Sequence, residues 1–255
     1  MINRRRFLRI GCGALGAVSL GGCESDPIIN GGRGFPRLSV RPSLPTMGVA
    51  LGETALGLGT DRDGVLYVPQ SYDPEVPMPL VVAMHGTPGG ASLWTPFQEA
   101  CEARGMIMLA IESRGLAWDL IETGSFGVDL PFIDEALAFT FDRCRIDTTR
   151  VCMMGFSDGA SYAITLGTSN GDLFTHLISF SPGFWFPVQP LVGNPGIFVS
   201  HGREDEILPY ATTRDGIVPQ LESLGYDVTF ETFDGPHIVP REIGQAAFDW
   251  FGAPA

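Results

Sequence analysis

Apolar residues along this chain fall into short unbroken runs, separated by stretches in which they recur every three or four positions. The runs at 79–84, 106–111, 151–154, 177–180 and 196–200 have few or no polar interruptions, and runs of that length read as strands buried on both faces, as in a parallel sheet. Helical spacing fills the intervals. Thr95 as N-cap, Pro96 at the first helical position and Gln98 closing a capping box predict a helix that buries Phe97, Ala100 and Cys101 and stops at Gly105. A second helix is predicted over 130–143, with Phe132, Ile133, Ala136, Leu137 and Phe141 as its buried stripe, followed by a turn at 147–150. Further helices are expected after Gly159, up to about Leu224, and over 240–251, with a strand at 228–233. Strands at 53–57 and 64–68, joined by a turn at 61–64, give the sheet an antiparallel start. Strands alternating with helices in this way predict an α/β fold with a mostly parallel central sheet and helices on both faces.

The first residues break the pattern. Arg4, Arg5, Arg6 and Arg9 precede a glycine- and alanine-rich apolar run from Ile10 to Leu20, too short to span a membrane as a helix. The R-R-x-F-L order resembles a twin-arginine export signal. Leu20-Gly21-Gly22-Cys23 is similar to a bacterial lipobox, with Cys23 as the acylated residue. Residues 1–22 are thus expected to be an export signal, and 23–45 a flexible tether rich in glycine and proline. The remaining 46–255 are expected to form one catalytic domain. The protein would then sit as an exported lipoprotein on the extracytoplasmic face, with the membrane as partner through its lipid.

Charge narrows the partners. The chain has 16 arginines, no lysine and a formal charge of −13. Four of those arginines lie in the first 22 residues, so the rest carries −17. Such a surface argues against nucleic acid, whose binding needs a basic patch. Without lysine, Schiff-base chemistry is excluded. Cys101, Cys144 and Cys152 remain in the body, and a disulfide between two of them is left open. No metal-ligand spacing is visible.

The candidate chemistry gathers where the runs end. Residues 151–166 read as a buried strand, the turn Gly155-Phe156-Ser157-Asp158-Gly159 and a buried helix, which is the setting in which G-x-S-x-G marks a nucleophile elbow. A serine hydroxyl needs a base to take its proton. His85 follows one strand and precedes Gly86-Thr87-Pro88-Gly89-Gly90, whose glycines would let a substrate lie close to the backbone. His201 opens the acidic loop His201-Gly202-Arg203-Glu204-Asp205-Glu206, and His237 follows the last strand. By physics alone Glu204, Asp205 or Glu206 could orient an imidazole.

Taken in order, MHGTPGG, GFSDGA, HGREDEILP and GPHIVP resemble the serine hydrolases of the α/β-hydrolase superfamily. They are most similar to the small esterases of the phospholipase/carboxylesterase and polyhydroxybutyrate-depolymerase or feruloyl-esterase type. The resemblance covers about 79–251 and implies an α/β-hydrolase fold, a Ser157, Asp205 and His237 triad, and an oxyanion hole from the backbone N–H groups of Thr87 and Asp158. It also implies that no cofactor takes part. With its turn expected to supply an oxyanion donor, His85 reads as a structural loop residue and not as the base. Depolymerase-type members often have a cysteine near the oxyanion glycine and a tryptophan after the histidine, where this chain has Thr87 and Ile238. About fifteen residues separate the strands at 177–180 and 196–200, which leaves no room for a large lid. Gly86, Phe184 and Trp185, with Trp94 and Trp118 nearby, are the expected substrate contacts, and a small-molecule ester with a short acyl or aryl group is the expected substrate. A polyester depolymerase or peptidase on the same triad, and a non-catalytic cell-surface binding lipoprotein, are the alternatives.

Overall fold

The structure, a computed structural model, describes residues 36–253 apart from residue 60. The expected export signal, Cys23 and the first part of the tether lie outside the described residues. Eight strands form one sheet in the order β1-β2-β4-β3-β5-β6-β7-β8. β1 (Gly52–Ala55) and β2 (Gly64–Val68) are antiparallel to each other, and β2 is antiparallel to β4 (Ile107–Ile111). From β4 onward every pairing is parallel, through β3 (Met78–Met84), β5 (Ile146–Phe156), β6 (His176–Phe180), β7 (Gly196–Gly202) and β8 (Val228–Phe233).

Alternation along the central strands divides the core into two layers. Leu80, Val82, Ile107, Leu109, Val151 and Met153 face one side, under helices α3 (Asp129–Phe141), α4 (Asp158–Thr168) and α6 (Val218–Ser223). Val81, Ala83, Met108, Ala110, Cys152 and Met154 face the other, under α1 (Gln98–Arg104) and α7 (Arg241–Gly252). Because both faces are covered, β3 and β4 have no exposed residue, which is why their sequences run apolar without alternation.

Several boundaries differ from the expected ones. A 3-10 helix spans Ala91–Phe97 with Pro96 inside it, and α1 begins only at Gln98 with no side-chain cap, so the Thr95 capping box does not form. The 3-10 segment starts three residues before Trp94, where the Ala91 N–H donates to the Glu112 carboxylate at 3.0 Å. Trp94 is fully buried. Gly105 does end α1, in the left-handed region at φ 60°. The expected turn at 147–150 lies inside β5, where Asp147 accepts hydrogen bonds from the Thr149 N–H and hydroxyl, next to a register shift against β3. A short helix α2 (Asp119–Thr123) interrupts the loop after β4. Between β7 and β8 the chain winds through α5 (Tyr210–Thr212), a π-helical turn over Thr213–Ile217, and α6.

The stretch given to the tether is not free at its end. Arg37 forms a two-pronged pair with Asp172 at 2.7 Å, Leu38 is buried, and the Asn170 side chain receives the Leu38 N–H and donates to the Pro36 carbonyl. Asp134 caps the N–H groups of Ser39 and Val40. Residues 36–40 have no regular secondary structure, yet they are strapped to α3 and the end of α4, because the N–H groups of Leu38, Ser39 and Val40 find side-chain acceptors there.

Candidate active site

The sharp turn between β5 and α4 depends on two glycines. A Cβ on Gly155 would lie 2.2 Å from the Gly159 carbonyl oxygen, and one on Gly159 would lie 2.4 Å from the His85 carbonyl at the end of β3. Only hydrogen fits at either position. Between them Ser157 is held at φ 57°, ψ −121°, a conformation that costs a side-chain-bearing residue roughly 1–3 kcal/mol. The surroundings impose it: the Ser157 N–H donates to Phe180 of β6, and its carbonyl receives the N–H groups of Ala160 and Ser161.

Three loops at the carboxyl ends of the strands meet this serine. His237 Nε2 lies 2.8 Å from Ser157 Oγ, and His237 Nδ1 lies 2.6 Å from Asp205 Oδ2. Nδ1 therefore carries the proton that the carboxylate accepts, and Nε2 is left to accept from the serine hydroxyl. The imidazole also lies over the Phe156 ring, with centroids 4.7 Å apart. The β7 and β8 loops are fastened together by Arg203 N–H to Phe233 O and Glu204 N–H to Gly235 O. A Cβ on Gly202 would sit 2.4 Å from the Gly235 oxygen, so this close approach also requires glycine.

The Asp205 side chain is fully buried. Its Oδ1 accepts the N–H groups of Ile207 and Leu208 at 2.9 and 2.8 Å, and Oδ2 receives His237 and, at 3.1 Å, His201 Nε2. Four donors thus converge on this one carboxylate. Glu204 and Glu206 are exposed, and the carboxylate that pairs with His237 is that of Asp205. His201 is a partner the sequence reading missed. Burial lowers its pKa, and its Nε2 faces both the Leu208 carbonyl and Asp205, so the ring is a neutral donor bracing the carboxylate. A histidine four residues before the acid was the available signal.

The turn after β3 reaches the same place. A Cβ on Gly86 would stand 2.9 Å from Ser157 Cβ, which brings the Gly86–Thr87 backbone against the serine. Neither the Thr87 nor the Asp158 N–H donates a hydrogen bond to another described residue. Both donors belong to residues next to this contact, since Asp158 follows the serine and Thr87 follows Gly86.

The aromatic segment behaves otherwise than expected. Trp185 is 4% exposed, packs edge-on against Tyr226 and donates from Nε1 to Thr168 Oγ1 at 3.2 Å. It is core beneath the loop and is not among the residues that line a cleft beside His237. Phe184 is half-buried against the same core layer and stacks on the exposed Phe186. Trp118 is fully buried, whereas Trp94, though buried, is among the residues lining that cleft beside His237. An open cleft of about 580 Å³ lies instead on the other side, where His237, Ile238 and Val239 face Leu93, Trp94, Pro96, Phe97 and Phe156. Its walls are mainly apolar, with Glu99 and Arg241 paired at 3.2 Å among the lining residues.

Cys101, Cys144 and Cys152 are buried free thiols, and burial raises the pKa of each. Among the described residues no cluster of three or more His, Cys, Asp or Glu could hold a metal ion, and no helix is long and apolar enough to cross a membrane.

No family model matches the chain, and no curated protein matches it in sequence. Solved structures do match its fold. Esterase PE8 is similar over 75% of this chain and 98% of its own, with a TM-score of 0.59 and 18% identity. The fluorophosphonate-binding serine hydrolase F (FphF) of Staphylococcus aureus is similar over 80% and 100%, with a TM-score of 0.64 and 13% identity. The chain has the α/β-hydrolase fold. A carboxylesterase of Bacillus cereus is similar over 76% and 94%, with a TM-score of 0.57 and 18% identity. In α/β-hydrolase terms, Ser157 stands at the elbow, while His237 and Asp205 follow the last two strands. Residues 181–195, between β6 and β7, contain no helix, so no lid domain is inserted there.

Proposed function

We propose that this chain is a serine hydrolase that cleaves carboxylic esters. The observation that carries the reading is the hydrogen-bonded series Ser157 Oγ, His237 Nε2, His237 Nδ1 and Asp205 Oδ2, at 2.8 and 2.6 Å, on a strained elbow. Ser157 Oγ gives its proton to His237 Nε2 and bonds to the ester carbonyl carbon. The carbonyl oxygen takes the negative charge and is held by the Thr87 and Asp158 N–H groups, each worth about 3 kcal/mol in such a hole. His237 then hands the proton to the leaving alkoxide, the C–O bond breaks, and an acyl-Ser157 remains. Water repeats the sequence through the same imidazole and releases the acid. Asp205 keeps Nδ1 protonated and stabilises the imidazolium. It is fixed in turn by His201.

The cleft beside His237, with no lid over it, supports short acyl or aryl esters as the substrate class. Export as a lipid-anchored protein through Cys23 remains part of the same proposal and rests on the N-terminal sequence. Steady-state hydrolysis of p-nitrophenyl butyrate, set against a long-chain triglyceride emulsion, tests the substrate class. Faster turnover of the short ester is expected, together with loss of activity in Ser157→Ala. A strong preference for the emulsion would overturn it.

A further inference from the structure

Arg62 lies in the hairpin turn between β1 and β2, far in sequence from Ser157, Asp205 and His237. Its Nη2 is 3.0 Å from His85 Nε2 and donates to the Gly89 carbonyl at 2.8 Å, while its Nε donates to the Ser113 carbonyl at 2.5 Å. Its own carbonyl receives Arg114 Nη1. The Ser113 N–H also points at His85 Nε2, at 3.1 Å. Two donors face that nitrogen, so it cannot carry a proton. The proton of the buried His85 ring is therefore on Nδ1, and Nδ1 donates to the Gly86 carbonyl at 2.9 Å. Burial and the Arg62 charge both lower the pKa of this imidazole, consistent with the neutral form that the hydrogen bonds require.

Peptide planarity carries the consequence to the site. In a trans peptide the carbonyl and the following N–H point to opposite sides. With the Gly86 oxygen turned to His85 Nδ1, the Thr87 N–H is turned away from that ring, in a peptide whose Gly86 Cα lies against Ser157. The Gly89 backbone closes over the same oxygen, since a Cβ there would meet Gly86 O at 2.4 Å, and Gly89 is itself held by Arg62. We propose that Arg62 and His85 are positioning residues for the oxyanion hole: Arg62 fixes the Nδ1–H tautomer of His85, and that N–H sets the Gly86–Thr87 peptide so that the Thr87 N–H stands ready for the tetrahedral intermediate. The inference rests on the serine-hydrolase reading above.

The test uses the full chain and four proteins: wild type, His85→Asn, His85→Gln and Arg62→Met. An Asn amide N–H can occupy the place of Nδ1–H, whereas the longer Gln places its amide near Nε2. His85→Gln is expected to lower kcat on p-nitrophenyl butyrate about 100-fold, the scale of a lost oxyanion donor, with KM within twofold. His85→Asn is expected to recover most of that loss, and Arg62→Met to lower kcat about tenfold. Affinity for a trifluoromethyl ketone, which forms an oxyanion on Ser157, is expected to fall in step with kcat. If His85→Gln does not fold, Arg62→Met, at a partly exposed position, carries the test through the same two readouts. Equal losses in His85→Asn and His85→Gln, unchanged kcat in Arg62→Met, or ketone affinity that stays constant while kcat falls, would overturn the inference with the hydrolase reading intact. A folded wild type without turnover would overturn the hydrolase reading itself, and this inference with it.

Discussion

Replacing Asp205 by Asn removes one charge and keeps the shape, which makes it the sharpest probe of the hydrogen-bonded series. The carboxylate accepts four donors, two on each oxygen. An amide has one oxygen. If that oxygen stays with the Ile207 and Leu208 N–H groups, the amide NH2 faces His237 Nδ1 and His201 Nε2. His237 then accepts at Nδ1, its proton moves to Nε2, and the ring can no longer take the Ser157 proton. Loss of the tautomer and of the stabilised imidazolium predicts a drop of about 10⁴ in kcat, equivalent to about 5 kcal/mol of barrier. If the amide turns the other way, two backbone donors lose a buried acceptor, costing about 1–3 kcal/mol of stability each. Turnover of p-nitrophenyl butyrate, read beside the urea-unfolding midpoint, separates the two contributions. A folded Asp205→Asn with kcat within tenfold of wild type would refute the reasoning and point to another acid.

Trp185→Ala is expected to cost about 3–5 kcal/mol in urea unfolding and to leave KM for short esters within twofold; unchanged stability with a raised KM would place Trp185 in the substrate site instead. Burial raises the Asp129 carboxyl to about 6, against the Arg114 and Asp119 N–H groups that stabilise its charge, and the neighbouring Asp119 raises it further. The folded value lies above the unfolded one of about 4, so the native state holds the extra proton between those pH values. This contribution to stability is full below about pH 4 and is lost as pH rises through 6. A carbon-13 titration of Asp129 is expected to have its midpoint near 6, and wild-type stability relative to Asp129→Asn to rise from pH 7 to pH 5. A midpoint near 4 would contradict the burial argument.

The central strands were legible because burial on both faces leaves no polar position to confuse the pattern, as in β3 and β4. The positions of Ser157, Asp205 and His237 were legible for a related reason: each sits just beyond such a strand, in a loop with recognisable spacing. What the sequence hid depends on partners distant along the chain. Thr95 had the composition of a cap, but Glu112, at the end of the neighbouring strand, draws the helix start back to Ala91. Trp185 had the look of a pocket residue until Thr168 and Tyr226 supplied its hydrogen bond and ring contact in the core. His201 and Arg62 act through bonds to Asp205 and His85 that no local pattern announces. Residues 36–40 read as tether because their anchors, Asp134, Asn170 and Asp172, lie about a hundred residues further on.

The central claim is that Ser157 is an activated nucleophile, and a fluorophosphonate probe tests it most directly. Intact mass and peptide mapping are expected to show one adduct, on Ser157, formed within minutes at neutral pH and absent from Ser157→Ala. A folded wild-type protein that stays unlabelled, or an adduct that persists in Ser157→Ala, would contradict the account.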